Sequence, residues 1–198
     1  MPDQETIEVY NNSIDDYVKV SDTGETDPTL ETFMSYLSAD DLVLDLGCGP
    51  AIASAAMAER GFRVDPVDAS TEMVAFANRK YGLNARVGTF HSVDKSDHYD
   101  AVWANFSLLH ASKDEFPDHL KAIFKALKPG GYFHIGMKTG EGELRDRLGR
   151  QYAYYTSVEL KEHLISTGFT IIESTDGEGV GLAGDVSPWT AIISAKPA

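Results

Sequence analysis

Two carboxylates bracket a pair of glycines in this chain. Asp45, Gly47 and Gly49 lie in the run Leu44-Asp45-Leu46-Gly47-Cys48-Gly49-Pro50, and Asp68 follows 21 residues after Gly47. Glycines let a backbone turn tightly and approach a ligand without side-chain collision. A helix starting behind such a loop presents free backbone N–H groups. An acid at the end of the following strand can accept from both hydroxyls of a ribose. The chemistry these spacings suit is the holding of a nucleotide-like ligand.

Two cofactor classes compete for that geometry. The dinucleotide fingerprint wants a third glycine where Ile52 stands, so that pattern is broken. Asp45 would repel a pyrophosphate and would favour a ligand with an ammonium group. S-adenosylmethionine carries an amino group, a sulfonium cation and a ribose, and fits an acidic loop better than NAD does. No Gly-Lys-Ser/Thr follows, which excludes a P-loop.

The surrounding pattern supplies the elements that must position these residues. Residues 3–38 are polar with scattered aromatics and read as two short helices separated near Thr23-Gly24 and Asp27-Pro28. From Asp41 onward strands and helices alternate. Leu42–Leu44 is a first strand ending at Asp45, and Ala51–Arg60 is a helix stopped by Gly61. Arg63–Val67 is a second strand, and Ser70 caps a helix to about Tyr81. Ala85–Thr89 and Tyr99–Asn105 are strands three and four. Ser112-Lys113-Asp114-Glu115 fits a capping box for a helix ending at Leu127, before a fifth strand over Tyr132–Met137. Thr156-Ser157-Val158-Glu159 is a second capping box, and Gly168 closes its helix. Phe169–Glu173 and Thr190–Lys196 are closing strands. This alternation predicts one α/β domain, with a doubly wound, mostly parallel sheet that binds ligands beyond the carboxyl ends of its strands.

Composition narrows the partners. The 198 residues are 42% hydrophobic and 24% charged, with a net charge of −14. Nucleic-acid affinity rests on neutralising phosphates, and the longest basic run is Arg79-Lys80, so no nucleic-acid partner is expected. No apolar stretch is long enough to span a membrane, and the acidic start Met1-Pro2-Asp3-Gln4-Glu5 is not a secretory signal. The single Cys48 excludes an internal disulfide, which suits a cytoplasmic protein. One cysteine and no His-x-x-x-His pair give no metal site.

Four segments in order carry a resemblance: LVLDLGCGP, VDPVDAS, YDAVWANFSLLHA and LKPGGYFHIGMK. Residues 41–138 resemble a class I S-adenosylmethionine-dependent methyltransferase of the small bacterial type. The resemblance implies a seven-stranded Rossmann-like sheet of order 3-2-1-4-5-7-6 with the last strand antiparallel. It implies that Asp45, Gly47 and Gly49 line the methionine moiety, with Cys48 a small buried residue of the same loop. Asp68 is implied to bind the ribose, Ala69 and Met73 to flank the adenine, and Phe90 to cover its other side. Asn105 is implied to present its backbone near the methionine part. Ala51 stands where many members have a further glycine. Thr89 replaces an acid that accepts from the adenine amino group, a contact its hydroxyl can supply. On this reading residues 1–198 form one domain, with a helical cap over 1–38, an α/β core over 41–198 and an insertion over 138–155 near the acceptor.

Other residues have two readings each. Tyr10 and Tyr17 lie seven apart, on one face of a helix, and tyrosines so placed in relatives close over the cofactor; ordinary packing is the alternative. His110, just beyond the fourth strand, is a candidate general base or a structural histidine. His91 and His98 fall in loops without an assigned role. Arg145, Arg150, Tyr152 and Trp189 are candidate acceptor ligands, because guanidinium forks and phenols suit an anionic small molecule. The arginines can equally pair with Glu141, Glu143 and Asp146. Methyl transfer to a small molecule is the first expectation. A non-catalytic cofactor-binding module and a protein methyltransferase are the alternatives.

Overall fold

The computed structural model describes residues 2–21, 24 and 26–198. Its centre is a pair of strands buried on both faces, β1 (Leu42–Leu46) and β4 (Tyr99–Asn105), paired in parallel. Side chains alternate across a strand, so each strand feeds two layers. Val43, Ala101 and Trp103 pack with Leu30, Phe33 and Met34 of α3 (Pro28–Met34) and Met57 of α4 (Ile52–Glu59). Leu44, Leu46, Val102 and Ala104 pack on the opposite layer, α6 (Phe116–Ala126) and α7 (Ser157–Thr167). Phe116, His119, Leu120 and Ile123 form the buried stripe of α6 at helical spacing.

The remaining strands are β2 (Arg63–Asp68), β3 (Arg86–Val87), β5 (Leu127–Lys138), β8 (Thr170–Val180) and β9 (Val186–Ala195). The seven-stranded sheet has the order β3-β2-β1-β4-β5-β9-β8, and β9 runs antiparallel to both of its neighbours. A separate hairpin, β6 (Glu143–Arg145) with β7 (Gln151–Ala153), stands between β5 and β8 in the chain. It advances the count, so the last two places carry 9 and 8 where the expected order carried 7 and 6. The helix α5 (Thr71–Tyr81) covers the β2 side and is capped by Ser70 as expected, its side chain accepting from the Met73 N–H at 3.1 Å. No helix among the described residues is long and apolar enough to cross a membrane.

Several boundaries differ from the sequence pattern. Among its described residues the N-terminal region holds three helices rather than two: α1 (Gln4–Asn12), α2 (Ile14–Ser21) and α3. Ser13 interrupts the first pair, so Tyr10 and Tyr17 lie on different helices, and Thr23 lies outside the described residues. The Ser112 box closes only a preliminary turn, with the Glu115 N–H bonded to Ser112 Oγ at 3.3 Å. Pro117 lacks the N–H that would join that turn to the helix, and α6 begins at Phe116. The closing strands extend well past the predicted spans, through glycines and acids that disfavour strands. There Trp189 lies so close over Gly177 that any side chain at 177 would collide with its ring.

His134, on β5, is fully buried and stacks on Trp103 with ring centroids 3.7 Å apart. Burial pushes its pKa down to about 3. The unfolded chain therefore takes up a proton below pH ~6.5 that the folded chain refuses, and the stability present above that pH is lost as it falls toward 3. We expect His134→Phe, which keeps the stacking, to remove roughly 2 kcal/mol of the stability difference between pH 7 and pH 5. Urea unfolding at the two pH values measures it; an unchanged pH dependence would refute the assignment.

Candidate active site

The glycine loop leaves β1 at the point where the chain winds to opposite sides, between β1 and β4. Gly47 (φ +80°) and Gly49 (φ +54°) both adopt left-handed backbone. A side chain at Gly47 would strike Ser107, whose hydroxyl donates to the Leu46 carbonyl at 2.6 Å. The loop is fastened to the end of β2: the Gly47 and Cys48 N–H groups donate to the Val67 carbonyl, and Gly49 N–H donates to Asp68 Oδ2 at 2.8 Å. Asp68 Oδ1 accepts from the Ser70 N–H at 2.8 Å. Its carboxyl is pushed up by burial, against the backbone N–H bonds from Ser70, Gly49 and Ala69 that lower it.

Beside this loop lies a cavity of about 610 Å³. Gly47, Gly49, Asp68, Ala69 and Met73 form one side of it, and Thr89 and Phe90 continue that wall. The N-terminal helices roof it. Tyr17 lies over Gly49, and its ring meets Tyr10 edge-on at 5.6 Å. Asn11 fixes α1 to the start of α5, its Oδ1 accepting from Ser70 Oγ at 2.7 Å.

His110 also lines the cavity, on the 3₁₀ turn Leu108–His110. Its Nδ1 lies 2.6 Å from the Gln151 carbonyl, which can only accept, so Nδ1 carries the proton. Nε2 is then an acceptor, and the Tyr10 hydroxyl donates to it at 2.8 Å. Arg150 Nη1 donates in turn to the Tyr10 oxygen at 3.0 Å. Burial first, and then the charge of Arg150, lower the His110 pKa to about 4. The ring is neutral near pH 7.

Residues 43–131 match the methyltransferase domain family. The chain is 24% identical over 160 residues to an uncharacterized methyltransferase of Staphylococcus carnosus, covering 76% of this chain and 77% of that one. It is 31% identical over 153 residues to the malonyl-[acyl-carrier protein] O-methyltransferase of Enterobacter lignolyticus; the match covers 76% of this chain but only 57% of that protein. The fold superposes with a TM-score of 0.73, at 23% identity, on 1,6-didemethyltoxoflavin-N1-methyltransferase of Burkholderia thailandensis, a structure with bound 1,6-didemethyltoxoflavin and S-adenosylhomocysteine; the match covers 98% of this chain and 90% of that one. In sequence over the matched segment, and in fold, the chain is similar to class I S-adenosylmethionine-dependent methyltransferases.

Several of the residues expected at the cofactor lie away from the cavity wall. Asp45 shares the Val43 face of β1, where its buried carboxylate accepts from Ser54 Oγ of α4 at 2.6 Å. Burial raises its pKa to about 7. Cys48 is likewise buried behind the loop, and burial pushes its thiol up. Asn105 turns its side chain the other way, to His134 at 3.1 Å and Asp27 at 3.4 Å.

The four candidate acceptor ligands are engaged elsewhere. Arg145 pairs with Asp3, the N-cap of α1, at 2.7 Å, and with Glu5 at 3.2 Å. Arg150 is only 2% exposed, donates to Asp146 Oδ2 at 2.6 Å and lies between the Tyr10 and Tyr152 rings. Tyr152 is buried against the His110 ring, and Trp189 covers Gly177. A guanidinium in so little water needs a partner of its own, and Asp146, in the same hairpin loop, supplies it. The sequence pattern did not single out Ser107, Thr6 or Gln151, because their contacts join distant segments; Gln151 N–H donates to Thr6 Oγ1 at 2.8 Å. Nor did it single out the cavity-wall groups Glu115 and His119, whose spacing of four on a helix was the available signal.

Arg150→Ala is expected to destabilise the protein by roughly 3 kcal/mol, since it leaves Asp146 without its buried partner. Arg147→Ala, whose exposed ion pair with Asp185 spans 3.9 Å, should change stability by less than about 0.5 kcal/mol. Denaturant midpoints compare the two, and equal losses would contradict this reading of Arg150.

Proposed function

We propose that this chain transfers a methyl group from S-adenosylmethionine to a small-molecule acceptor. The observation that carries the reading is one continuous cavity that runs from the glycine loop and Asp68 to the Tyr10–His110 pair beneath a helical roof. Such an enclosure suits a cofactor and a small acceptor better than a polypeptide, which would need an open groove. The net charge of −14 argues against a nucleic-acid acceptor. The 1,6-didemethyltoxoflavin-N1-methyltransferase, similar in fold, is named for a small-molecule acceptor.

In this reading Asp68 receives the ribose hydroxyls. Ala69, Met73 and Phe90 enclose the adenine, and the Thr89 hydroxyl accepts from its amino group. Gly47 and Gly49 take the methionine part beneath Tyr17, with Asp45 adding negative charge from behind the loop. Bound S-adenosylmethionine supplies an activated methyl on a sulfonium. The chain's own task is then to align the acceptor and exclude water. The Tyr10 oxygen, fixed by Arg150 and His110, has a lone pair left for an acceptor O–H or N–H. A proton arriving there can be matched by the Tyr10 proton moving to His110 Nε2.

Two measurements test this. Asp68→Ala should weaken S-adenosylhomocysteine binding by roughly 1.5–3 kcal/mol in calorimetry; an unchanged affinity would remove Asp68 from the ribose site. A panel of metabolites screened with labelled cofactor identifies the acceptor. On that acceptor Tyr10→Phe should lower kcat about 10²-fold with cofactor affinity retained, and full activity in this variant would exclude the relay.

A further inference from the structure

Three side chains of the cavity wall take no part in the scheme above. His91 belongs to the 3₁₀ turn Phe90–Ser92 that follows β3, Glu115 is the N-cap of α6, and His119 lies one turn further along that helix. All three line the cavity. One ligand-capable atom from each falls within 4.8 Å of the others. His91 Nε2 is 3.5 Å from Glu115 Oε1, and the two imidazoles meet edge-on at 4.8 Å. His119 is only 5% exposed and is held by ring contacts with His91 and Phe90. Among the described residues, no hydrogen bond reaches either of its ring nitrogens.

Two imidazoles and one carboxylate are the donor set of zinc sites that keep a position open, and suit other divalent first-row metals. Positions four apart on a helix project to one side, so Glu115 and His119 form a two-point grip that the adjacent His91 turn completes. We propose that His91, Glu115 and His119 bind one divalent transition-metal ion, of the Zn²⁺ class, on the cavity wall. Donors on one such ion lie roughly 3.3–3.6 Å apart at bond lengths of about 2.0–2.2 Å, so the cluster has to contract by about an ångström. His91 is exposed and Glu115 half-buried, and side-chain rotation of these two supplies that movement while His119 stays fixed in its packing. The remaining coordination position opens on the cavity, toward an oxygen or nitrogen donor of a molecule held there.

The test uses the full chain freed of any affinity tag and stripped with a chelator. Calorimetric titration with Zn²⁺ alone, without cofactor, should give one ion per chain, and Co²⁺ should give the visible absorption of a low-coordinate site. His91→Ala and His119→Ala should each weaken Zn²⁺ binding by roughly 10-fold or more and abolish the Co²⁺ bands, while His98→Ala, outside the cluster, changes neither. Should His119→Ala fail to fold, the exposed His91→Ala decides alone. Absence of stoichiometric binding to the wild-type chain, or wild-type affinity and spectrum in His91→Ala, would overturn the site. S-adenosylhomocysteine binding to the same variants is measured separately, so the metal site and the cofactor reading stand or fall independently.

Discussion

A guanidinium with only 2% of its residue's surface exposed has to be neutralised and hydrogen-bonded where it sits, and this constraint organises the ligand end of the molecule. Arg150 satisfies it through Asp146 within its own hairpin loop and through Tyr10 on α1. One side chain thereby joins the β6–β7 hairpin to the N-terminal helix. Arg145 repeats the connection at the exposed rim through Asp3, and Gln151 repeats it with Thr6. The roof of the cavity is thus held mainly by polar contacts, whereas the sheet below it is held by apolar packing. That difference in kind explains why the roof carries so many of the chain's tyrosines and charges and so little of its core.

The same network fixes the state of His110. Because the Gln151 carbonyl accepts from Nδ1, Nε2 must face Tyr10 as an acceptor, and the hydroxyl has one orientation open to it. Tyr10 is left between a cation and a neutral imidazole. The hairpin that supplies Gln151 and Arg150 therefore sets the orientation of the Tyr10–His110 pair.

The α/β alternation, the Ser70 cap, the Thr156 box, the glycine loop and Asp68 were all legible in the chain, because each depends on residues close together in sequence. Ala69, Met73, Thr89 and Phe90, which line the cavity, were placed there by the family resemblance and not by local pattern. What local pattern left open depends on distant partners. Asp45 stands in the ligand loop by sequence, yet the two-residue period of β1 turns it onto Ser54. The basic and aromatic stretch from Arg145 to Tyr155 has the composition of an anion site, but its arginines meet carboxylates at Asp3 and Asp146. A single sequence also does not show that Ser13 breaks the first helix while leaving the two tyrosine rings in contact.

The contacts that close the roof join residues about 140 positions apart, Tyr10 with Arg150 and Thr6 with Gln151. During synthesis α1 emerges well before its partners in the β6–β7 hairpin, and β1, β4 and β5 can pair in the interval. A loop of that length is costly to close in entropy and is closed late. Local opening favours elements held by few apolar contacts, and α1 buries only Thr6. The first helix is thus tied to the rest of the molecule across a long span of chain by a few polar contacts, and the closure of the cavity on that side rests on them.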